Sequence, residues 1–251
     1  MVAYSGGVDS TFLLAVVSGI LGDNAVAVTT QSEIHPVKEL EEARAHAKTL
    51  GVKHIVIHTD ELDDENFMAN PPERCYHCKR GLFIRLTELA SRYKLDCIAD
   101  GTNYDDLSDL RPGMRAAAQF GIRSPLQEAG LSKQEIRVLS REMNVPAWDR
   151  PAQSCLATRF PFGTTITREQ LARVDRAEQF ISSFGVKQVR VRVHGDLARI
   201  EVSRDDMPVV LDDEIAARIA DTLTSLGYTY VTLDVQGYRM GSMNEPVKRG
   251  V

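Results

Sequence analysis

Seven consecutive residues near the start of the chain have the types and spacing to hold a bulky anion: Ser5, Gly6, Gly7, Val8, Asp9, Ser10 and Thr11. Paired glycines let a backbone approach a phosphate closely. A helix beginning at that point adds unpaired N–H groups and the positive end of its dipole. The hydroxyls of Ser5, Ser10 and Thr11 supply further donors. Asp9 is the unexpected member, because a carboxylate beside phosphate is repulsive unless Mg2+ or a backbone donor intervenes. It either caps the helix or meets the metal. The chain has no Gly-x-x-x-x-Gly-Lys and no Gly-x-Gly-x-x-Gly, so a Walker A loop and a dinucleotide fingerprint are both absent.

Three further constellations could carry chemistry. Cys155 has Arg150 and Arg159 near it in sequence, and positive charge stabilises the thiolate, the nucleophilic form of sulfur. Cys75 and Cys78 form a single Cys-x-x-Cys, which is half of a four-ligand zinc site with no second half in the chain. It could also be a thioredoxin-like pair or two unremarkable thiols opening a helix. Cys75, Cys78 and Cys155 together would suit a [4Fe–4S] cluster with one iron left open. Cys97, in an apolar segment, is expected in the core. Finally, Val189-Arg190-Val191-Arg192-Val193 alternates as a strand does, which sets Arg190 and Arg192 on one face about 7 Å apart with the valines inward. Such a pair is either a clamp for phosphate or carboxylate, with Glu178 and Arg239 able to join it, or the outer face of a half-exposed strand.

The elements that must position these residues follow from periodicity and punctuation. Up to about residue 148, strand and helix signals alternate: a short strand at 1–4, the glycine turn, and an apolar helix over 12–21. Strands are predicted at 25–30, 54–59 and 97–100, with a fifth at 122–126; helices are predicted at 37–50, 78–93 and from Ser132 to 144. Ser132 with Glu135 reads as a capping box. This order predicts an α/β fold, a doubly wound parallel sheet with ligands at the carboxyl ends of its strands. The glycine loop, residues 29–32 including Thr30, and Gly101 would share that edge. Trp148-Asp149-Arg150-Pro151 reads as a junction, giving domains 1–148 and 149–251. Beyond it the order is helix (167–184), strands (186–193 and 198–203) turning at Gly195-Asp196, helix (212–226) and strand (230–238), a smaller α+β domain.

Bulk properties narrow the class. The chain has 251 residues with a formal charge of −5 and a pI near 5.7, which counts against binding nucleic acid through a broad basic surface. No apolar run approaches the roughly 20 residues of a membrane helix. Four cysteines without a leader fit a reducing cytoplasm.

Ser5-Gly6-Gly7-Val8-Asp9-Ser10 resembles the PP-loop of ATP pyrophosphatases. More of the chain fits one branch of that superfamily, the ATP-dependent sulfur transferases of nickel-pincer nucleotide (lactate racemase cofactor) biosynthesis. The resemblance rests on residues 5–11, NPPERCYHCK at 70–79, ADGTN at 99–103, DLRPG at 109–113, SCLATRF at 154–160 and GYRMGS at 237–242. It implies ATP with Mg2+, a carboxylate of a pyridinium biscarboxylate mononucleotide adenylated with release of pyrophosphate, and Cys155 attacking the acyl-adenylate. Sulfur would come from Cys155 itself, leaving dehydroalanine, or from a [4Fe–4S] cluster on Cys75, Cys78 and Cys155. Glu178, Arg190, Arg192 and Arg239 match substrate positions, and Thr30 and Gly101 would meet the adenosine. The resemblance also implies a homo-oligomer with a small nucleotide partner and neither membrane nor nucleic acid. Family members carry a segment, usually a helix, ahead of the first strand; without one the sheet edge is expected to be less covered. Two other readings keep the loop and change the acceptor, to tRNA in thiolation or to ammonia in amidotransfer. A third is a sensor that binds nucleotide without catalysis.

Overall fold

The first strand, β1 (Val2–Ala3), is short because the Ser5-Gly6-Gly7 turn follows closely, and α1 (Val8–Leu21) begins immediately after that turn. The alternation continues through β2 (Val26–Gln31), α2 (Val37–Thr49), β3 (Lys53–His58), a one-turn α3 (Glu65–Met68), α4 (Arg74–Tyr93) and β4 (Ala99–Asp100). Three helices follow: α5 (Pro112–Gln119), α6 (Pro125–Glu128) and α7 (Lys133–Glu142), the last opened by the Ser132–Glu135 capping box. The computed structural model describes residues 1–108, 112–151 and 153–244, so Asp109, Leu110 and Arg111 of the fourth motif lie outside it. Two compact units result, Met1–Gln153 and Ser154–Val251.

In the first unit all four strands are parallel, in the order β3-β2-β1-β4. The chain winds outward from β1 to β3 and then returns to the other side of β1, so the winding reverses between β1 and β4. A crevice opens at such a switch point, at the carboxyl ends of the strands. Side-chain alternation builds a core on each face of the sheet. Val2 and Ala27 pack with Phe12, Leu13, Ala43 and Ile136, while Val26 and Val28 pack with Phe83, Leu86, Ala90 and Ala116. Helices on both faces make the sheet doubly wound, as the sequence predicts.

Two local expectations are corrected. The fifth strand at 122–126 is reduced to a single bridge between Ala99 and Arg123, because Pro125 lacks the N–H a ladder needs and opens α6. Cys97 is exposed rather than core, since the ladder to β1 starts only at Ala99. β1 lies in the interior of the sheet between β2 and β4, and Met1 is itself in the core, its amino group donating to the Cys97 carbonyl at 2.8 Å.

The second unit holds α8 (Arg168–Ser182), β5 (Val189–His194), β6 (Leu197–Val202), a one-turn α9 (Met207–Val210), α10 (Asp213–Ser225) and β7 (Tyr230–Leu233). Thr167 and Gln170 form a capping box for α8. β5 and β6 are an antiparallel hairpin that turns at Gly195-Asp196, where Gly195 takes φ 62°, and β7 runs parallel to β6. No helix among the described residues is long and apolar enough to cross a membrane.

Candidate active site

The glycine loop lies at the switch point of the sheet. Gly6 takes φ +75°, and Gly7 is the N-cap of α1 with no side chain capping the helix. The first turn of α1 therefore keeps its amide donors for a ligand. Two hydroxyls close the loop on itself: Ser10 Oγ donates to the Gly7 carbonyl at 3.2 Å and lies 3.1 Å from Ser5 Oγ, while Ser5 Oγ accepts from Gly7 N at 3.3 Å. Ser5 is exposed and Gly7 half-buried, so these two face outward. Val8 belongs to the core. Thr11 is fully buried, and its hydroxyl lies against Tyr4 rather than on the open side of the loop. Asp9 does not cap the helix; its carboxylate is ion-paired with Lys133 of α7. Gly101 follows β4 and fits for a reason unrelated to turns: a Cβ there would sit 2.8 Å from Ser10 N. Thr30 is half-buried near the carboxyl end of β2. Its neighbour Thr29 donates to the Tyr4 carbonyl at 2.6 Å and so ties β2 to the strand that feeds the loop.

In the second unit Cys155 is half-buried, at the start of a 3-10 turn (Leu156–Arg159). Arg159 organises this segment. Its NH1 donates to the carbonyls of Ser154 and Cys155 at 2.9 and 3.0 Å and to the hydroxyls of Ser154 and Thr158 at 2.9 Å each. Its other edge grips Glu178 of α8 through two bonds of 2.8 Å. Glu178 Oε1 also accepts from Val191 N at 2.8 Å, the amide between Arg190 and Arg192 on β5. Burial alone pushes the Glu178 carboxyl up, but the charge and hydrogen bonds of Arg159, with Arg190 and the Val191 amide, bring it below its ordinary value.

Arg190 and Arg192 do share a face, but β5 is buried on both faces rather than half-exposed. Burial is possible because acids on neighbouring elements meet them. Arg192 pairs with Glu201 on β6 through Nε and NH2 at 2.9 Å and donates to the Thr158 carbonyl at 3.1 Å. Arg190 lies 5.5 Å from the centre of the Tyr238 ring. Both guanidiniums are drawn below the usual arginine value, first by burial and next, for Arg190, by the charge of Arg159. Arg159, Arg190 and Arg192 thus crowd three positive charges around Glu178 and Glu201. Arg239 turns to Asp234 at 3.5 Å.

Over 251 residues, 99% of this chain and 90% of the relative, the sequence is 38% identical to pyridinium-3,5-bisthiocarboxylic acid mononucleotide synthase of Lactiplantibacillus plantarum. The chain belongs to that synthase family. It is also 44% identical to an uncharacterized protein of Synechocystis, over 97% of this chain and 91% of the relative. A more distant likeness, 24% identity over 89% of this chain and 84% of the relative, reaches a subunit of the glutamine-hydrolysing GMP synthase of Archaeoglobus fulgidus. No family model matches. Membership in this synthase family makes the chain an enzyme and agrees with the PP-loop-like fold of the first unit.

Within this synthase-family chain, Cys75 and Cys78 lie one turn apart at the start of α4, Cys75 exposed and Cys78 half-buried. Among the described residues no three His, Cys, Asp or Glu side chains are gathered as a metal ion would require. The Arg150 guanidinium donates to the Gly6 carbonyl at 3.0 Å and pairs with Glu42 of α2. Sequence reasoning missed Glu201, which is fully buried and takes Arg192, Arg199 and the Ser242 hydroxyl. Its signal was the antiparallel register, which sets Glu201 opposite Arg190. It also undervalued Arg159, an arginine set between Thr158 and the apolar Phe160.

Proposed function

We propose that this enzyme is an ATP-dependent sulfur transferase that turns a carboxylate of a pyridinium biscarboxylate mononucleotide into a thiocarboxylate. The observation that carries the reading is the Glu178 carboxylate. It joins the Arg159 platform under Cys155 to the backbone of the Arg190–Arg192 strand, so one buried acid sets sulfur and substrate arginines in a common frame. Residues 1–148 would activate the carboxylate and residues 149–251 would transfer the sulfur.

ATP enters as its Mg2+ complex, with its phosphates at the start of α1 near Ser5 and Gly7 and its adenosine toward Thr30 and Gly101. The substrate carboxylate attacks the α-phosphorus, and pyrophosphate leaves. Deprotonated Cys155 sulfur then attacks the acyl carbon, the C–O bond to AMP breaks, and a thioester forms. Loss of the Cys155 Hα to a base and cleavage of its Cβ–S bond would leave sulfur on the substrate and dehydroalanine in the chain. Arg190 and Arg192 supply the charge for the substrate's phosphate or reacting carboxylate, since a bound anion relieves the repulsion among the three guanidiniums. Cys75, Cys78 and Cys155 have the chemistry of cluster ligands, and a [4Fe–4S] cluster held on them would supply the sulfur in place of Cys155. The negative net charge weighs against a tRNA acceptor.

The test is the Cys155→Ser variant with ATP and the mononucleotide. It should still release pyrophosphate but yield no thiocarboxylate, and the wild-type chain should become lighter by the mass of hydrogen sulfide on turnover. Thiocarboxylate formed by the serine variant would refute the assignment of Cys155. Product formed by wild type without loss of mass would refute its sacrifice.

A further inference from the structure

Arg150 is half-buried beside the glycine loop, with 13% of its side chain exposed. One terminal nitrogen donates to the Gly6 carbonyl at 3.0 Å, and the other is ion-paired with Glu42. The segment that delivers it is itself pinned. Arg137 of α7 donates to the Trp148 and Arg150 carbonyls at 2.6 and 2.5 Å, and the Arg141 guanidinium lies 5.2 Å from the Trp148 ring centre. Arg150 N donates to the Ala147 carbonyl at 3.1 Å, and Ala147 takes the left-handed φ of 70° that turns the chain inward. Glycine would make that conformation cheap; alanine adopts it here because its surroundings hold it there.

The consequence follows from the planarity of the peptide bond. In a trans peptide the Gly6 C=O and the Gly7 N–H point in opposite directions. Drawing the carbonyl to Arg150 therefore fixes the Gly7 N–H on the other side, at the mouth of α1. A peptide between two glycines has no Cβ on either side to oppose a flip, and a flipped peptide would present a carbonyl oxygen to the incoming phosphates. Within the loop Ser5 Oγ accepts from Gly7 N at 3.3 Å, and Arg150 adds a charged hold on the carbonyl side from outside it. Ala43 of α2, 2.8 Å from where a Gly6 Cβ would be, bounds the loop on the same helix that carries Glu42. Burial lowers the Arg150 pKa and the charges of Glu39 and Tyr4 oppose it, yet an arginine keeps its proton throughout the working range.

We propose that Arg150 is a positioning residue for the ATP half-reaction, locking the Gly6–Gly7 peptide in the orientation that receives a phosphate. The proposal rests on the ATP reading above. It adds that the lock comes from the segment that follows α7, which Arg137 pins at the Trp148 and Arg150 carbonyls.

The test titrates Mg–ATP into the full chain by calorimetry, for wild type, Arg150→Lys, Arg150→Met and Arg150→Ala, with a melting curve for each. Losing one hydrogen bond from a charged donor should weaken ATP by roughly tenfold or more in Arg150→Met. The KM for ATP should rise while that for the mononucleotide holds. Arg150→Lys keeps the charge for Glu42 but loses the fork, so it should stay folded and still bind ATP more weakly. Millimolar guanidinium should restore ATP affinity to Arg150→Ala, which a merely structural defect would not allow. ATP affinities of the lysine and methionine variants within about twofold of wild type, or an alanine variant that guanidinium leaves unchanged, would overturn the proposal. Failure of wild type to bind Mg–ATP would instead overturn the ATP reading, and this proposal with it.

Discussion

Replacing Glu178 with Gln tests the central claim about the second unit at the level of single interactions. The carboxylate accepts three hydrogen bonds of 2.8 Å, two from Arg159 and one from Val191, and the Arg159 side chain is only 2% exposed. Glutamine matches the shape but offers one acceptor oxygen and no charge, leaving the Arg159 cation buried without its counter-charge. Breaking a buried pair costs about 3–5 kcal/mol, and the oxygen that glutamine retains favours the lower end, ~3 kcal/mol. With a urea slope of about 1–3 kcal/mol/M, the midpoint should fall by about 1–3 M. The pH dependence gives a sharper check. The folded Glu178 carboxyl lies below its ordinary value, so its stabilisation is fully present above the unfolded value of about 4.3 and is lost as pH falls through the folded one. Glutamine does not titrate there. The gap between wild type and variant should therefore be full at pH 7 and shrink below about pH 4, in urea titrations followed by circular dichroism. A gap of the same size at both pH values, or one under about 0.5 kcal/mol at pH 7, would refute the argument. At pH 7 the folded variant should release pyrophosphate normally and form thiocarboxylate slowly.

Gly6→Ala should abolish measurable ATP binding by calorimetry, because φ +75° strains alanine by ~1 kcal/mol and the new Cβ meets Ala43 backbone at 2.9 Å. Gly19→Ala, within α1 and with open space around it, should keep binding intact and raise the melting temperature slightly. Glu201→Gln should destabilise the second unit by at least ~3 kcal/mol in urea, since it strips the counter-charge from buried Arg192. Normal stability of that variant would show that Arg192 finds its compensation elsewhere.

Elements with a strong period or a clear cap were legible in the sequence. The capping box at Ser132 and the strands on either side of Gly195-Asp196 are set by neighbours within a few residues, and they fold where the pattern places them. Long-range pairing was less legible. Val-Arg-Val-Arg-Val reads as a half-exposed strand because the acids that let both faces be buried, Glu178 and Glu201, come from another helix and another strand. Thr11 reads as a phosphate donor until the helix phase turns it inward to Tyr4. Asp9 finds Lys133, 124 residues away, a partner no local pattern announces. Cys97 reads as core because its apolar neighbours suggest a longer strand than the two residues that pair with β1.

The double duty of Glu178 and Arg159 has a consequence for redesign and for drift between lineages. A change at either position alters how the sulfur-bearing turn is held and how firmly its unit is folded, so selection for a new acceptor cannot explore them without first losing expression. Arg239 and Asp234 are different, because their contact is longer and the Arg239 side chain is 30% exposed. Libraries aimed at altered acceptors are best confined to that pair and its neighbours. Across homologues, acceptor preference should diverge there while the buried pair stays fixed.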